Sequence, residues 1–419
     1  MKVAIVGCGT AGPAAALLLA RDGHDVEILE RVADPRPVGA GILLQPVGQQ
    51  VLASLGLADD LERWSTPVRR IDGQSRSGRR VMDFGYDDVL PGVRGWGVNR
   101  GALFDLLWRA VHAAAIPVRT GEAVESLRHE AGGWRLTTNR GNHGPFDLVI
   151  GADGARSRVR RLSGLARKDV GYPYGAVWCV VPDPDRLAGD TLVQRYGGTR
   201  ITLGVLPTGI AEASIFWSLP THRIAAVRAA GSAAWAAAAR PYAGRLAPLL
   251  DGVSDDGLLE ARYRDVVVHS PCLVNGRSGL VLIGDAAHAM SPQLGLGASL
   301  GLADAWTLAA CLQRHPNDLA AALAEHAAAR RAHVRWYTWC SRLMTPIFQS
   351  DLVPLGWGRD WLLEPVARIP WVRRQFVTML MGIRTSPWTV WTPLSPALPQ
   401  HGTKPAANPS LDPDAGRPT

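Results

Sequence analysis

The stretch VAIVGCGTAGPAAALLLA at residues 3–20 constrains the fold more than any other part of the chain. The apolar, β-branched run Val3–Val6 reads as a buried strand, Gly7–Gly12 as a tight turn and Ala14–Arg21 as a helix, with a second strand at Val26–Glu30. Two such strands joined through a helix form a βαβ unit, which needs a parallel sheet covered by helices. Gly7, Gly9 and Gly12 fill the GxGxxG spacing at the strand–helix junction. The first permits the turn, the second lets a pyrophosphate approach the backbone, and the third lets helix and strand pack closely. The helix start then offers unpaired N–H groups and the positive end of its dipole to phosphate. Glu30 closes the second strand, where a carboxylate accepts from ribose hydroxyls and repels a ribose phosphate. The site therefore suits FAD or NAD rather than NADP, and this motif alone does not separate the first two.

The fold class that follows is α/β: a Rossmann-type parallel sheet interleaved with an antiparallel β-sheet, plus C-terminal helices. Helical composition recurs at Gly48–Leu57, Arg100–Ala115 and Ala298–Cys311, and a strand at Asp147–Ile150 runs into GADGARSRVR. Long strands dominate 176–274, interrupted by an alanine-rich helix at 224–240, and the strand Leu280–Ile283 follows. This divides the chain into a discontinuous nucleotide-binding domain (1–70, 100–175 and 275–335) and a β-sheet domain (71–99 and 176–274). A helical segment (336–395), broken by prolines, and a disordered tail (396–419) complete it.

Composition excludes several classes. With 47% hydrophobic and 20% charged residues the chain is globular, and no apolar run is long enough to span a bilayer. The net charge of +8 is carried almost wholly by arginine, lysine occurring only at 2, 168 and 404. Those arginines are scattered rather than gathered in an aromatic-laced stripe, so no nucleic-acid partner is expected. Five dispersed cysteines with no CxxC read as reduced thiols, and the N-terminus lacks a cleavage pattern, so the expected location is cytoplasmic. Tryptophans and arginines mix after residue 335; a helical cap, which could include a dimer contact, is expected there in preference to a membrane-surface segment.

A second motif, IGDAAHAMSPQLGLGASLGLADA, begins at residue 283. Taken with GADGARSRVR and GCGTAG, in that order and spacing, it resembles the single-component flavoprotein monooxygenases, the family of para-hydroxybenzoate hydroxylase. The resemblance covers about residues 1–340. It implies one FAD held at both ends. Gly7, Gly9, Ala11, Gly12 and Glu30 would hold the adenosine and pyrophosphate, with Arg31 and the backbone of Val124 beside the adenine. Asp153 belongs to the motif associated with the pyrophosphate and with nicotinamide use. Arg36 and Gly41 lie at positions along the flavin, Arg100 matches an arginine that contacts the FAD, and Asp285 would bond the ribityl chain. Pro292 would wall the ring, with Gly295, Gly297 and Ala298 at a helix start that favours the anionic reduced flavin. His288 lacks the companions of a metal site or a catalytic dyad and reads as scaffold.

By the same resemblance, NADPH or NADH reduces FAD, O2 adds, and a flavin hydroperoxide hydroxylates an aromatic or otherwise electron-rich small molecule. Candidate pocket residues on the β-sheet domain are Gln45, Trp96, Trp178, Gln194, Tyr196, Arg200 and Trp217; Tyr196 and His222 are weak candidates for a base. The same motifs serve epoxidases and reductases of isoprenoids or quinones, and that alternative stays open. A halogenase lacks its lysine and its WxWxIP signature here. A carrier of prenylated proteins on this fold would not keep Glu30 and Asp285. The sequence leaves the choice between monomer and homodimer open.

Overall fold

A computed structural model describes residues 1–37 and 39–390; the expected tail at 396–419 lies outside the described residues. The central sheet has six strands in the order 272–275, 278–282, 148–151, 2–6, 25–30 and 118–120, all parallel except the edge strand Cys272–Asn275. Segments from three distant parts of the chain are neighbours in it: Val3 pairs with Leu148, and Leu148 with Gly279. Alternation along each strand assigns its two faces. Val3 and Ile5 pack with the helices Ala11–Arg21, Arg100–Ala113 and Gly297–Arg314, whereas Ala4 and Val6 pack against Trp134, Leu136 and Phe146 of a three-stranded meander.

The second large sheet has seven strands, in the order 259–268, 166–182, 212–220, 201–208, 191–197, 70–75 and 80–85. It is antiparallel apart from the pairing of 70–75 with 191–197. Its first long strand, Ala166–Pro182, begins ten residues before the point expected from sequence, because pairing with Leu259–Val268 carries the β conformation through Lys168–Gly171. One face is covered by the helices Ile224–Ala229 and Gly231–Ala243, with Trp235 at the centre of that core. The other face turns to the nucleotide-binding layer through a small sheet of Gly41–Leu44, Ser65–Val68 and Gly95–Asn99. Here glycine is required by contact. A Cβ on Gly97 would lie 1.9 Å from the Pro207 carbonyl oxygen, and one on Gly41 2.4 Å from the Thr208 methyl.

The helix Leu319–Phe348 runs past its expected end, with Pro346 in its last turn. Pro354 and Pro370 sit in the first turns of Val353–Ala367 and Pro370–Leu380, where a missing N–H leaves no bond unmade. Among the described residues no helix is long and apolar enough to cross a membrane.

Candidate active site

The first glycine loop is built as its spacing demands. Gly7 has φ +106°, and a Cβ there would lie 2.6 Å from the Ala152 carbonyl oxygen. On Gly12 it would sit 2.1 Å from the Gly7 oxygen, so the helix rests directly on the turn. A Cβ on Gly9 would meet nothing within 4 Å, which leaves that side of the loop open to a ligand. Glu30 is fixed beside it: Cys8 N donates to Oε2 at 2.8 Å and Val32 N to Oε1 at 2.9 Å. Burial, helped by Glu30, pushes the Cys8 thiol up to about 12, so it stays protonated. Val124 is buried just beyond Glu122, whose N–H donates to the Glu30 carbonyl. Arg31 and Arg36 are exposed, and Arg36 pairs with Asp34. Arg100 opens its helix exposed, its side-chain stem against Gly39.

The two distant glycine motifs meet. A Cβ on Gly284 would lie 3.3 Å from the Ala11 methyl and 3.5 Å from the Gly301 Cα, so nucleotide loop, GD turn and late helix converge at one point. From this turn Asp285 projects an exposed carboxylate toward the start of the helix Gly297–Arg314; its Oδ1 lies 3.6 Å from the Cβ position of Gly297. That helix has no side-chain cap, so the N–H groups of Gly297 and Ala298 are left for an outside acceptor. Pro292 begins the preceding turn, and Gly295 leaves it with φ +61°. These residues fit FAD: an open pyrophosphate loop, an acid at the ribose position, and a second acid beside an uncapped helix start.

Two residues that sequence reading did not single out hold this arrangement. Arg160, wholly buried, donates to the Ala286 carbonyl at 2.8 Å, to Ala155 O at 2.9 Å and to Asp169 at 2.7 Å, tying the DG motif to the GD motif. Asp153 of the DG motif accepts from Ser157 Oγ and from the N–H groups of Arg158 and Val159, which fixes the short helix carrying Arg160. Asp304 accepts the Gly284 N–H at 2.7 Å, His288 Nε2 at 2.5 Å and Arg330 Nε at 2.6 Å. Burial would raise its carboxyl, but the charges of His288 and Arg330 override this and hold it far below the usual carboxylate range. For Asp304 the signal was local, an Asp among apolar helix residues, whereas Arg160 is one of three arginines in its short helix; in both cases the partners lie elsewhere in the chain.

Strand pairing decides which pocket candidates share a face. Trp178 pairs with Phe216, Phe216 with Gly204, and Gly204 with Gln194, so these point the same way, and Tyr196 two residues on joins them. This is the face turned to the nucleotide layer, since Ser214, of the same parity, receives the Gly41 N–H at 2.8 Å. Phe216, Leu206, Leu192, Met82 and Leu380 form its apolar wall with Leu43, none of them singled out from sequence. Tyr196 donates to Gln194 Oε1 at 2.7 Å, and burial raises its phenol well above the ordinary value. Gln45 is fully enclosed, accepting from Tyr86 at 2.7 Å, with its Nε2 near Gly295. Trp96 is a core residue next to Leu44 and Val51. Three candidates lie elsewhere. Trp217 faces Trp235 on the opposite side of the sheet, His222 is exposed in the turn leading to the covering helices, and Arg200 is exposed and bound to Asp351 at 2.8 Å. A separate cavity of about 1000 Å³, lined by Arg331, Arg335 and Trp336, backs onto His288 and Asp304 and includes none of the sheet-face residues.

Comparison with known proteins places this geometry. The model of an FAD binding domain family matches residues 1–207 and 269–340. The FAD-dependent urate hydroxylase of Klebsiella pneumoniae is 30% identical over 351 residues, 80% of this chain and 87% of that protein. The 2-heptyl-3-hydroxy-4(1H)-quinolone synthase of Pseudomonas aeruginosa is 29% identical over 408 residues, 93% of this chain and 92% of that one. In structure, Klebsiella pneumoniae HpxO complexed with FAD and uric acid superposes with a TM-score of 0.77 at 25% identity, covering 91% of this chain and 97% of that chain. With its glycine loop, GD turn and inserted sheet arranged in this way, the chain belongs to the FAD-binding-domain family and is an FAD-dependent, NAD(P)H-using monooxygenase.

Proposed function

We propose that the protein hydroxylates an apolar, electron-rich aromatic small molecule held between the flavin segment and the face of the seven-stranded sheet. The observation that carries this reading is the composition of that face: Trp178, Phe216, Leu206 and Leu192, with the Tyr196–Gln194 pair as its polar feature. Arg200 and Arg195, the sheet cations a carboxylate would seek, are engaged by Asp351 and Asp72. That favours a neutral ring over a benzoate-like acid. The names of relatives, among them a urate hydroxylase and a kynurenine 3-monooxygenase, support an electron-rich aromatic acceptor.

FAD, reduced by NAD(P)H, supplies the oxygen activation and transfer when bound. The chain's own part is to hold and to exclude. Gly7–Gly12 and Glu30 would take the adenosine and pyrophosphate, with Arg31 and Val124 around that half, Arg36 along the flavin and Arg100 in contact with the FAD. Asp285 would take the ribityl hydroxyls. The helix start at Gly297 and Ala298 would stabilise negative charge at the pyrimidine edge by about 0.3–2 kcal/mol. The apolar wall keeps water from the reacting oxygen and so favours transfer to substrate over release as peroxide. Tyr196, kept protonated by burial, acts as a hydrogen-bond donor and not as a base. The five cysteines are all unpaired, which supports a cytoplasmic location.

The test is NAD(P)H consumption by the holoprotein across phenols, indoles and quinolones, with product mass. A gain of one oxygen is expected. Reduction without oxygen gain, or a chlorinated product when chloride is supplied, would overturn the reading.

A further inference from the structure

The helix Val353–Ala367 buries few of its residues and leaves most of its large apolar side chains exposed. Its inward face carries Gly356, Arg359 and Ala367, and the Arg359 guanidinium is buried over the Tyr196 ring at 4.4 Å and bonded to Asp360 and the Ile347 carbonyl. Gly356 allows the approach, since a Cβ there would lie 3.2 Å from the Thr199 methyl. Its outward face is apolar. Leu355, Trp357, Trp361, Leu362 and Val366 are exposed, Trp357 to 67% and Leu362 to 64%, and Ile369 extends the stripe beyond the helix. Large apolar side chains exposed in this number on one helix mark a surface that is covered in use.

Charge selects what covers it. The acids of this region are already neutralised: Asp360 by Arg359, Glu364 by Arg368, and Asp351 by Arg200. At one edge of the stripe the hairpin 75–80 presents Arg76 and Arg79. Arg79 lies over the Trp361 ring at 3.5 Å, and neither arginine has a carboxylate partner among the described residues. A second copy offering the same face brings no unengaged carboxylate from these acids to meet the arginines. An anionic bilayer surface complements both parts, with apolar side chains among the acyl chains, tryptophan rings at the headgroup level and arginines on lipid phosphates.

We propose that Val353–Ala367, with the Arg76–Arg79 edge, is an in-plane docking surface for an anionic lipid bilayer. The protein lies on the membrane without spanning it. The proposal touches the substrate reading at one point, Arg359 over the Tyr196 ring, and vesicle flotation is read separately from turnover.

The experiment is flotation of the FAD-loaded protein with vesicles of phosphatidylcholine alone or with phosphatidylglycerol added to about one third, a composition chosen to give the surface potential that attracts basic segments. Wild type should float with the anionic vesicles, with a blue shift of tryptophan emission, and should be released at high salt. The double variant Trp361→Ser with Leu362→Ser should bind about tenfold less. Arg79→Gln should lose the preference for phosphatidylglycerol while keeping FAD content and turnover. Absence of flotation would overturn the proposal. So would a dimer in sedimentation velocity that the double variant converts to monomer without any vesicle binding, which would assign the face to a second copy.

Discussion

His288 Nε2 lies 2.5 Å from Asp304 Oδ2, and the same oxygen receives the backbone N–H of Gly284, so the histidine of the GD turn is spent on holding the turn. Removing the charge on Asp304 takes a buried carboxylate away from Arg330. Asp304→Asn should cost about 3–5 kcal/mol in chemical denaturation. His288→Asn should cost about 1–3 kcal/mol while turnover stays within a few-fold of wild type. Collapse of turnover in that variant with FAD fully retained would make His288 a chemical participant.

His326 gives the protein a pH dependence. Burial lowers its imidazole to about 4 against the pull of Asp304, and its Nδ1 has no hydrogen-bond partner among the described residues. The unfolded chain takes up this proton near the ordinary value of about 6.5, while the folded chain does not until about 4. Between those values the unfolded state binds more protons, so stability falls as pH drops through this window, by about 3 kcal/mol in all. His326→Gln should flatten the melting temperature against pH between 6.5 and 4; an unchanged slope would assign the dependence to other groups.

Gly9 and Gly12 separate ligand binding from folding. Ala at Gly12 must clash with the Gly7 carbonyl oxygen, so Gly12→Ala should lower expression and melting temperature together. The space beside Gly9 is free of protein atoms, so Gly9→Ala should fold with the apoprotein's melting temperature and bind FAD roughly tenfold more weakly or worse. Equal FAD content in Gly9→Ala and wild type would remove this loop from the pyrophosphate site.

Asp285 is exposed and unencumbered, which is unusual for a motif residue packed among buried neighbours. Asp285→Ala should leave the fold intact and weaken FAD by about 1.5–3 kcal/mol, the scale of a charge-assisted hydrogen bond. Flavin titration of the apoprotein reads this directly, and full occupancy at wild-type affinity would sink the assignment.

Phe216 closes the sheet face so tightly that a Cβ on Gly204 would lie 2.0 Å from its ring. Phe216→Ala opens that wall to water. Product formed per NAD(P)H consumed should fall by about half or more, with peroxide making up the difference. Unchanged coupling would place the reacting pocket elsewhere.

The parallel sheet and its glycine loop were legible in the sequence because each rests on local rules, whereas the single FAD was implied by the family resemblance. Those rules are the βαβ periodicity, the steric demand for glycine at fixed offsets, and an acid at the end of the second strand. The C-terminal region was less legible: prolines that read as breaks at 354 and 370 are helix starts, and Pro346 is absorbed in a last turn. Arg160 and Asp304 stood in quoted motifs, but a buried charge is recognised by its partner, and those partners lie at Ala286 and Arg330.

For the pocket, sequence supplied the strands and tertiary structure supplied the sides. Trp178 and Trp217 stand alike in a list of aromatic strand residues, yet pairing puts one beside Phe216 on the face turned to the nucleotide-binding layer and the other against Trp235 behind it. Alternation fixes which residues of one strand share a face, whereas only packing between sheets decides which face becomes the site. The sequence by itself therefore determined the cofactor-binding frame. Long-range register decided the meeting of Gly284, Gly301 and Ala11, the engagement of Arg200 by Asp351, and the outward turn of Trp357 and Trp361, because each depends on contacts between segments that no local pattern encodes.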